Sequence, residues 1–341
     1  MKVGMYYNNS DVRPEEQPVP AVGDAELLIK VMASGICGSD LLEWYRIKRA
    51  PLVLGHELTG EIVEVGKDIE SFRTGDRVFT THHVPCDACY YCLTGHETAC
   101  KVFQEKNNFT PGGFSQYLKV GGRSVKTGTL KLPDNLSFET GTFIEPLGTV
   151  VRALRALQVK PGESMMILGA GLAGILFVKL ARALGVGNVF ISDIDEYRLE
   201  MAKRAGASFV VPADRDLPDF IRKNNGRLAD KVIICTGALP AAESALECVD
   251  KGGTVLFFAV PTPGEKLAID FNPYWRDEIG FKTCYGSAPL DSIQAMELLR
   301  TGAVTVDDMI THRFGIGDIG EAFKTAAEPA GALKVIVKPN A

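Results

Sequence analysis

A glycine-rich turn between an apolar strand and an apolar helix constrains the fold of this sequence more than any other feature. Met165–Leu168 reads as a buried strand, Gly169-Ala170-Gly171-Leu172-Ala173-Gly174 follows at once, and an apolar helix is expected over residues 172–184. In this G-x-G-x-x-G order the glycines permit a tight turn, approach of the backbone to a pyrophosphate, and close packing of helix on strand. The helix N-terminus offers free amides to phosphates. The pattern predicts a dinucleotide site, with an ordinary strand-to-helix turn as the alternative.

The acidic residue that ends the next predicted strand indicates which dinucleotide binds. Asp193 lies nineteen residues after Gly174. A carboxylate there can accept both ribose hydroxyls and would repel a 2′-phosphate, so NAD is favoured over NADP. Arg198 follows one turn into the next helix, where a solvated face is the alternative to a cofactor contact. The predicted cofactor-binding residues are Gly169, Gly171, Leu172, Ala173, Gly174, Asp193 and Arg198.

The character of the sequence changes near residue 149, which predicts two domains. Residues before about 145 read as short strands between Gly and Pro turns, including 26–33 and 59–65. After that point helical stretches alternate with candidate strands at 165–168, 189–192, 209–211, 232–235, 254–259 and 281–285. This alternation predicts an α/β class with a parallel, doubly wound sheet. The predicted domains are a β-rich domain over 1–148 and 288–341, to which the strand-like tail 333–337 returns, and a Rossmann domain over 149–287.

Four cysteines in one short segment predict a closed metal site. Cys86, Cys89, Cys92 and Cys100 have the spacing C-x-x-C-x-x-C-x7-C. Four thiolates complete a tetrahedral zinc site and leave no open position, so the zinc would be structural and would fold a lobe at about 84–101. An iron–sulfur cluster is the main alternative, and unligated cysteines are the other.

A second set of possible metal ligands is spread along the first domain. Cys37 lies in Gly-Ile-Cys-Gly-Ser-Asp, His56 and Glu57 in Gly-His-Glu, and Glu145 in Ile-Glu-Pro-Leu-Gly. A catalytic zinc needs about three protein ligands and one open position. Each residue also has an ordinary interpretation: Cys37 as a core thiol, His56 as a buried histidine and Glu57 as a charge in a turn. Their spacing in the sequence does not by itself show that they bind one metal ion.

The order of these motifs resembles the zinc-containing medium-chain dehydrogenase/reductase superfamily. The resemblance covers nearly the whole chain, and the Ile-Glu-Pro-Leu-Gly form is similar to the polyol (sorbitol) dehydrogenase branch, with features of threonine and galactitol-phosphate dehydrogenases. It implies a GroES-like catalytic domain and an inserted Rossmann domain. It also implies two zinc ions per chain, one catalytic and one structural.

The resemblance assigns roles to individual residues. Cys37 and His56 would be zinc ligands, Glu57 a third ligand or a neighbour that exchanges with water, and Glu145 a ligand directly or through water. Ser39 would begin proton transfer from the alcohol, and Asp40 would orient His56. Many relatives have a histidine five residues after the first zinc cysteine, where this chain has Leu42. His83 resembles a histidine that lines the active site of threonine dehydrogenases; the alternative for His82 and His83 is a loop at the lobe entrance.

These features together predict hydride transfer between NAD and a secondary alcohol or ketone of a small polar substrate, such as a polyol or its acid or phosphate derivative. Threonine dehydrogenase-like oxidation of an amino alcohol is one alternative, and a non-catalytic nucleotide-binding relative is another. A zinc-free reductase of the same superfamily would lack the Cys37, His56 and Glu145 set. The cations Arg46, Lys48 and Arg49 would either receive an anionic substrate or form a solvated basic face.

The net charge and the hydropathy of the chain restrict the molecules and membranes with which it is expected to interact. The net charge of −5 argues against nucleic acid or an anionic membrane surface. Apolar runs fall short of the roughly 18 residues that suggest a membrane span, and residues 1–10 lack the pattern of a secretory signal, so a cytoplasmic location is expected. Residues 253–260 read as a very apolar strand, which at an uncovered edge would pair with another chain; the alternative is an internal strand that is apolar on both faces. We therefore expect a homodimer or homotetramer.

Overall fold

The computed structural model describes residues 1–328 and 331–341, which form two compact units. The first unit contains residues 1–148 and 287–341, and the second contains residues 149–286. No helix in the described part of the chain is long and apolar enough to cross a membrane.

The first unit is built mainly from short strands. Its strands are β1 Lys2–Asn8, β2 Asp11–Glu16, β3 Leu27–Gly35, β4 Leu52–Val53, β5 Glu57–Val65, β6 Arg77–Thr80, β7 Phe109–Thr110, β8 Tyr117–Val120, β9 Thr129–Lys131, β16 Ile310–Gly315 and β17 Lys334–Lys338. Its helices are α1 Glu43–Arg46, α2 Tyr90–Leu93, α3 Lys101–Glu105, α4 Phe138–Gly141, α5 Ile144–Ala156, which continues into the second unit, α11 Pro289–Arg300 and α12 Ile319–Ala327.

The main sheet of the first unit has the order β16-β17-β3-β5-β6-β9, and β8 also pairs with β3. Leu27, Ile29 and Val31 of β3 alternate into a fully buried core, as the β-branched pattern of this segment predicts. β5 begins two residues earlier than the predicted 59–65, so Glu57 is its first residue and pairs with Gly35 of β3. β17 lies between β16 and β3, which brings the C-terminal tail beside the end of β3.

The second unit has a six-stranded parallel sheet with helices between its strands. Its strands are β10 Met165–Leu168, β11 Val189–Asp193, β12 Phe209–Pro212, β13 Ala229–Ile234, β14 Val249–Phe257 and β15 Gly280–Thr283. Its helices are α6 Leu172–Ala183, α7 Glu196–Arg204, α8 Leu217–Asn225, α9 Leu239–Cys248 and α10 Phe271–Arg276. The order β12-β11-β10-β13-β14-β15 is that of a doubly wound dinucleotide-binding sheet. The predicted α/β class is confirmed.

The interpretation of residues 253–260 as an edge strand is wrong. Most of this segment belongs to β14, which pairs with β13 on one side and β15 on the other. Its apolar character reflects burial within a parallel sheet that is covered on its faces. The edge strands of this sheet are β12 and β15. β15, the neighbour of β14, is less apolar and carries the exposed residues Lys282 and Thr283.

Candidate metal centres and dinucleotide site

Cys37 lies in a tight turn that directly follows β3. The 3-10 turn Gly38–Leu41 begins there, and the Asp40 carboxylate accepts a hydrogen bond from the Cys37 backbone N–H at 3.1 Å, as in a capping box. The Ser39 N–H points at the Cys37 Sγ at 3.4 Å. The turn therefore fixes the Cys37 thiol and buries the whole of Asp40.

The pairing of β3 with β5 brings three potential ligands together. Because Gly35 is the register partner of Glu57, the segment just after β3 lies beside the start of β5. One ligand atom from each of Cys37, His56 and Glu57 lies within 4.8 Å of the others. The buried Glu57 Oε1 has no hydrogen-bond partner among the described residues. A thiolate, an imidazole and an unpaired carboxylate oxygen fit a divalent cation such as zinc.

A buried lysine that sequence reasoning missed holds the other oxygen of Glu57. Lys334, on β17, forms an ion pair with Glu57 Oε2, and both side chains are fully buried. Its ammonium also lies 5.6 Å from the centroid of the Phe143 ring. A Cβ on Gly35 would collide with Lys334 Cε and Glu57 Oε2, so glycine at this position leaves the space that the pair occupies.

Asp40 controls the charge and orientation of His56. Its Oδ1 lies 3.5 Å from His56 Nδ1, which leaves Nε2 free to face a metal. Burial alone would lower the pKa of His56, but the charges of Asp40 and Cys37 outweigh it and raise this pKa well above its ordinary value. Burial would likewise raise the pKa of Asp40, but His56 and Arg46 lower it. Asp40 is therefore a charged carboxylate beside the candidate ligand.

Glu145 lies apart from the three-residue ligand group. It stands in the first turn of α5 and is not within the 4.8 Å cluster of Cys37, His56 and Glu57. Burial raises the pKa of Glu145 to about 7, and the charge of Glu57 raises it further while His56 and Lys334 oppose the rise. These mutual effects place its carboxyl in the electrostatic surroundings of the cluster.

His82, rather than His83, is the histidine whose ring lies beside His56. The ring centroids of His56 and His82 are 5.3 Å apart, and those of His82 and His83 are 3.7 Å apart. His83 Nδ1 contacts the Lys106 carbonyl at 3.0 Å. Burial and the neighbouring His83 and His56 lower the pKa of His82 well below its usual value, which makes it a neutral ring. Adjacent histidines gave no sequence signal for choosing between them.

Ser39 is held from outside by an arginine of the basic segment. Arg46 Nη2 donates to Ser39 Oγ at 2.9 Å and to Asp40 Oδ1 at 3.2 Å, and Arg46 Nε donates to the Ser39 carbonyl at 3.0 Å. Leu42 stands at the start of the same short helix with 42% exposure. Of the three cations in this segment, Arg46 turns inward while Lys48 and Arg49 are exposed.

The four predicted cysteine ligands meet in one small lobe. One Sγ from each of Cys86, Cys89, Cys92 and Cys100 lies within 4.8 Å of the others. Backbone amides of Ala88 and Cys89 lower the pKa of Cys86 to about 6, whereas burial and the neighbouring thiols raise the pKa of Cys92 to about 12. Four thiolates this close repel one another, so full ionisation requires a cation between them.

The glycine-rich turn has the geometry of a phosphate cradle. Gly169 has φ of +103°, which other residues rarely adopt, and a Cβ on Gly174 would overlap the Gly169 carbonyl oxygen. Gly171 precedes α6, and a Cβ there would meet open space. Leu172 and Ala173 open the helix, so their amides lack partners within it. The turn therefore offers free N–H groups and room for an anionic group.

Asp193 ends β11 and is tied to the same turn. Its Oδ2 accepts from the Ala170 N–H at 2.6 Å, and its Oδ1 accepts from the Asp195 N–H at 3.0 Å. Each carboxylate oxygen can accept a second bond, so capacity remains for ribose hydroxyls. The Arg198 Nε is buried and has no hydrogen-bond partner among the described residues.

Comparisons with known proteins agree with this geometry. Residues 23–134 match the alcohol dehydrogenase GroES-like domain, and residues 173–301 match the zinc-binding dehydrogenase family. Sorbitol dehydrogenase of Bacillus subtilis (strain 168) is 32% identical over 100% of this chain and 98% of its own length. L-threonine 3-dehydrogenase of Klebsiella pneumoniae is 30% identical over 90% of each chain. A zinc-binding dehydrogenase from Sinorhizobium meliloti, solved with NADP, superposes with a TM-score of 0.87 at 26% identity and covers 99% of both chains.

The chain belongs to the zinc-containing medium-chain dehydrogenase/reductase superfamily. It is an oxidoreductase of the zinc-binding alcohol and polyol dehydrogenase type, with a GroES-like unit and a Rossmann unit. The predicted family, fold class and enzyme class are confirmed.

Proposed function

We propose that this enzyme transfers a hydride between NAD and a secondary alcohol or ketone on a small polar substrate, with a polyol as the preferred type. The observation that carries the proposal is the cluster of Cys37, His56 and Glu57, in which one buried carboxylate oxygen has no partner. Similarity to a sorbitol dehydrogenase over the whole chain supports the polyol assignment.

The residues of the first unit divide the chemistry between them. Cys37 and His56 would hold the zinc, with Glu57 as a third or exchanging ligand and Glu145 reached through water. Zinc bound there supplies a Lewis acid that makes an alcohol more acidic. Ser39 accepts the hydroxyl proton, and Asp40 keeps His56 in the orientation that leaves Nε2 for the metal. We keep His83 as a residue of the substrate site, reached through the His82 ring.

Asp193 supports NAD as the cofactor. Its buried carboxylate borders the Gly169–Gly174 turn, where a 2′-phosphate would meet a negative charge. The unpaired Arg198 Nε and the NADP-bound relative favour the opposite choice. We expect NAD to exceed NADP at least about tenfold in kcat/KM, which is about 1.4 kcal/mol. Asp193→Ser should reduce or reverse this ratio; a wild-type preference for NADP would overturn the assignment.

A panel of substrates tests the reaction itself. Neutral polyols, their acid and phosphate analogues, and L-threonine should be compared by steady-state kinetics with zinc-loaded enzyme. The threonine dehydrogenase relative favours L-threonine as the second candidate. Polyols should have the highest kcat/KM. Turnover of L-threonine alone would select the second candidate, and no turnover with any member while NAD still binds would indicate a non-catalytic relative.

The proposal also includes the oligomeric state of the enzyme. We infer a homodimer or homotetramer, because β15 is an edge strand of the parallel sheet in the described chain and so presents unpaired backbone groups. Sedimentation at micromolar concentration tests this oligomeric state, and a fully active monomer would contradict it.

We also propose a cytoplasmic location. It suits a protein whose two proposed metal sites use five cysteine thiols, since oxidising compartments convert such thiols to disulfides.

A further inference from the structure

Arg46 is bound to the proton-accepting serine in a way that no motif indicated. Its guanidinium makes three hydrogen bonds, two to Ser39 and one to Asp40, and the side chain is only 15% exposed. Its face also lies 4.8 Å from the Tyr45 ring centroid. An arginine used only for solubility would extend into water, so this one has a local role.

The hydrogen bond from Arg46 to Ser39 Oγ determines which further hydrogen bonds the serine hydroxyl can donate and accept. A serine hydroxyl has one proton and two lone pairs. Arg46 has only donors, so its bond at 2.9 Å occupies one lone pair and leaves the Ser39 proton free. The second lone pair can then accept a substrate O–H, while the serine's own proton passes to water. A guanidinium at this position also stabilises negative charge that develops on Ser39 Oγ.

The segment that carries Arg46 is fixed at its other end. Asn9, in the turn between β1 and β2, donates from Nδ2 to the Leu41 carbonyl at 2.8 Å and from its backbone N–H to Glu43 Oε2 at 3.0 Å. Tyr6 in turn donates to Asn9 Oδ1 at 2.7 Å. The N-terminal hairpin therefore anchors both sides of Leu42, and Arg46 follows one helical turn later, its N–H bonded to the Leu42 carbonyl.

We propose that Arg46 is a positioning residue for proton transfer, which acts through Ser39 by fixing its hydroxyl as an acceptor toward the substrate. The inference rests on the proposed alcohol oxidation. It makes Arg46 distinct from Lys48 and Arg49, which are exposed.

A double-mutant cycle on the zinc-loaded enzyme tests the coupling. The variants are Arg46→Met, Arg46→Lys, Ser39→Ala and the Ser39→Ala, Arg46→Met pair, with Arg73→Met as the same substitution at an exposed arginine of the same unit. We expect Arg46→Met to lower kcat about 10- to 100-fold with KM changed less than about threefold, because Arg46 only positions a proton-transfer group, and such groups themselves contribute about 10²- to 10⁴-fold. Arg46→Lys should recover part of the loss, and Arg73→Met should match the wild type.

The diagnostic results are the cycle and the solvent isotope effect. If Arg46 acts through Ser39, the effects of the two substitutions should not add, since the two residues are coupled. The double variant should then have a kcat less than about threefold below that of Ser39→Ala alone. Arg46→Met should also increase the solvent deuterium isotope effect on kcat. Zinc content measured in every variant should stay unchanged.

Three outcomes would overturn the proposal. Independent, multiplicative losses would show that Arg46 does not act through Ser39. A rise in KM alone would make it a substrate-binding residue, and loss of zinc would show that it supports the metal site through Asp40. Failure of the wild-type enzyme on every alcohol would instead contradict the proposed function, so the two failures are distinguishable.

Discussion

The two candidate metal centres of the first unit differ in how the chain builds them. The four cysteines lie within fifteen residues, and small helices α2 and α3 bring their thiols together. The candidate ligands Cys37, His56 and Glu57 come from the end of one strand and the start of another, and a lysine from β17 completes the surroundings. As proposed, the first site would depend on its metal to form a lobe, whereas the second would depend on a sheet that folds around it.

This difference implies opposite responses to ligand removal. A lobe without its own apolar core should unfold when its metal leaves. A site built on paired strands should lose its chemistry and keep its structure. The following predictions proceed from the largest expected free-energy effect to the smallest.

Cys92→Ala should have the largest effect on local structure. Structural zinc sites have apparent binding free energies on the order of 10 kcal/mol, and loss of one thiolate forfeits much of this. We expect zinc to fall to about one per chain and residues 84–101 to become sensitive to protease. Limited proteolysis with mass spectrometry locates the cuts. Cys37→Ala is the matched control, and cleavage of its lobe at the same rate would remove the distinction between the sites.

Cys37→Ala should have the largest effect on activity. Loss of a ligand from the three-residue cluster should lower kcat/KM at least about a thousandfold, which is about 4 kcal/mol. The circular dichroism spectrum and melting profile should remain close to those of the wild type, because β3 and β5 do not depend on the thiol. Elemental analysis should again give about one zinc per chain. A global loss of structure would contradict the view that the sheet pre-forms this site.

The difference between ligands that are close in the chain and ligands that strand pairing brings together also explains what the sequence could predict. The cysteine lobe was recognisable because its ligands are close together in the chain, and β10 with the Gly169–Gly174 turn was recognisable because strand, turn and helix are local patterns. The ligands Cys37 and His56 were linked only by resemblance to a family. Lys334 lies 277 residues from Glu57, so no local pattern could pair them.

Other features depended on tertiary context as well. Arg46 resembled a surface cation because the sequence does not show which way a short helix faces. β14 resembled an edge strand because an apolar strand looks the same at the edge and in the interior of a sheet. For Arg46 the deciding contacts are with Ser39 and Asp40, seven and six residues earlier, and they depend on how the intervening turn folds. For β14 they are with the neighbouring strands β13 and β15.

Lys334→Met tests how the open site balances its charges. Breaking a buried ion pair from one side leaves an uncompensated charge and costs about 3 kcal/mol or more. We expect the metal-free variant to melt earlier by calorimetry than the wild type, and zinc to restore part of the difference because the cation replaces the lysine charge. The double variant Glu57→Gln, Lys334→Met should recover stability. If the double variant were as unstable as the single one, lost packing rather than the Glu57 charge would be the cause.

Removal of zinc by a chelator should show the smallest free-energy difference of the four experiments. It should, however, distinguish the two proposed zinc sites within the wild-type enzyme. In the proposed closed site four thiolates would hold the zinc, whereas in the proposed open site Cys37, His56 and an exchanging carboxylate would leave one position for water or substrate. We expect a chelator to remove zinc from the open site about tenfold faster, which is about 1.4 kcal/mol in activation free energy. Activity should therefore vanish when about one zinc per chain remains, while the lobe still resists protease. Cys37→Ala, which retains only the closed site, should show the slow phase alone. Activity that persisted until the last zinc left would place the catalytic metal in the four-cysteine lobe and reverse the assignment of the two sites.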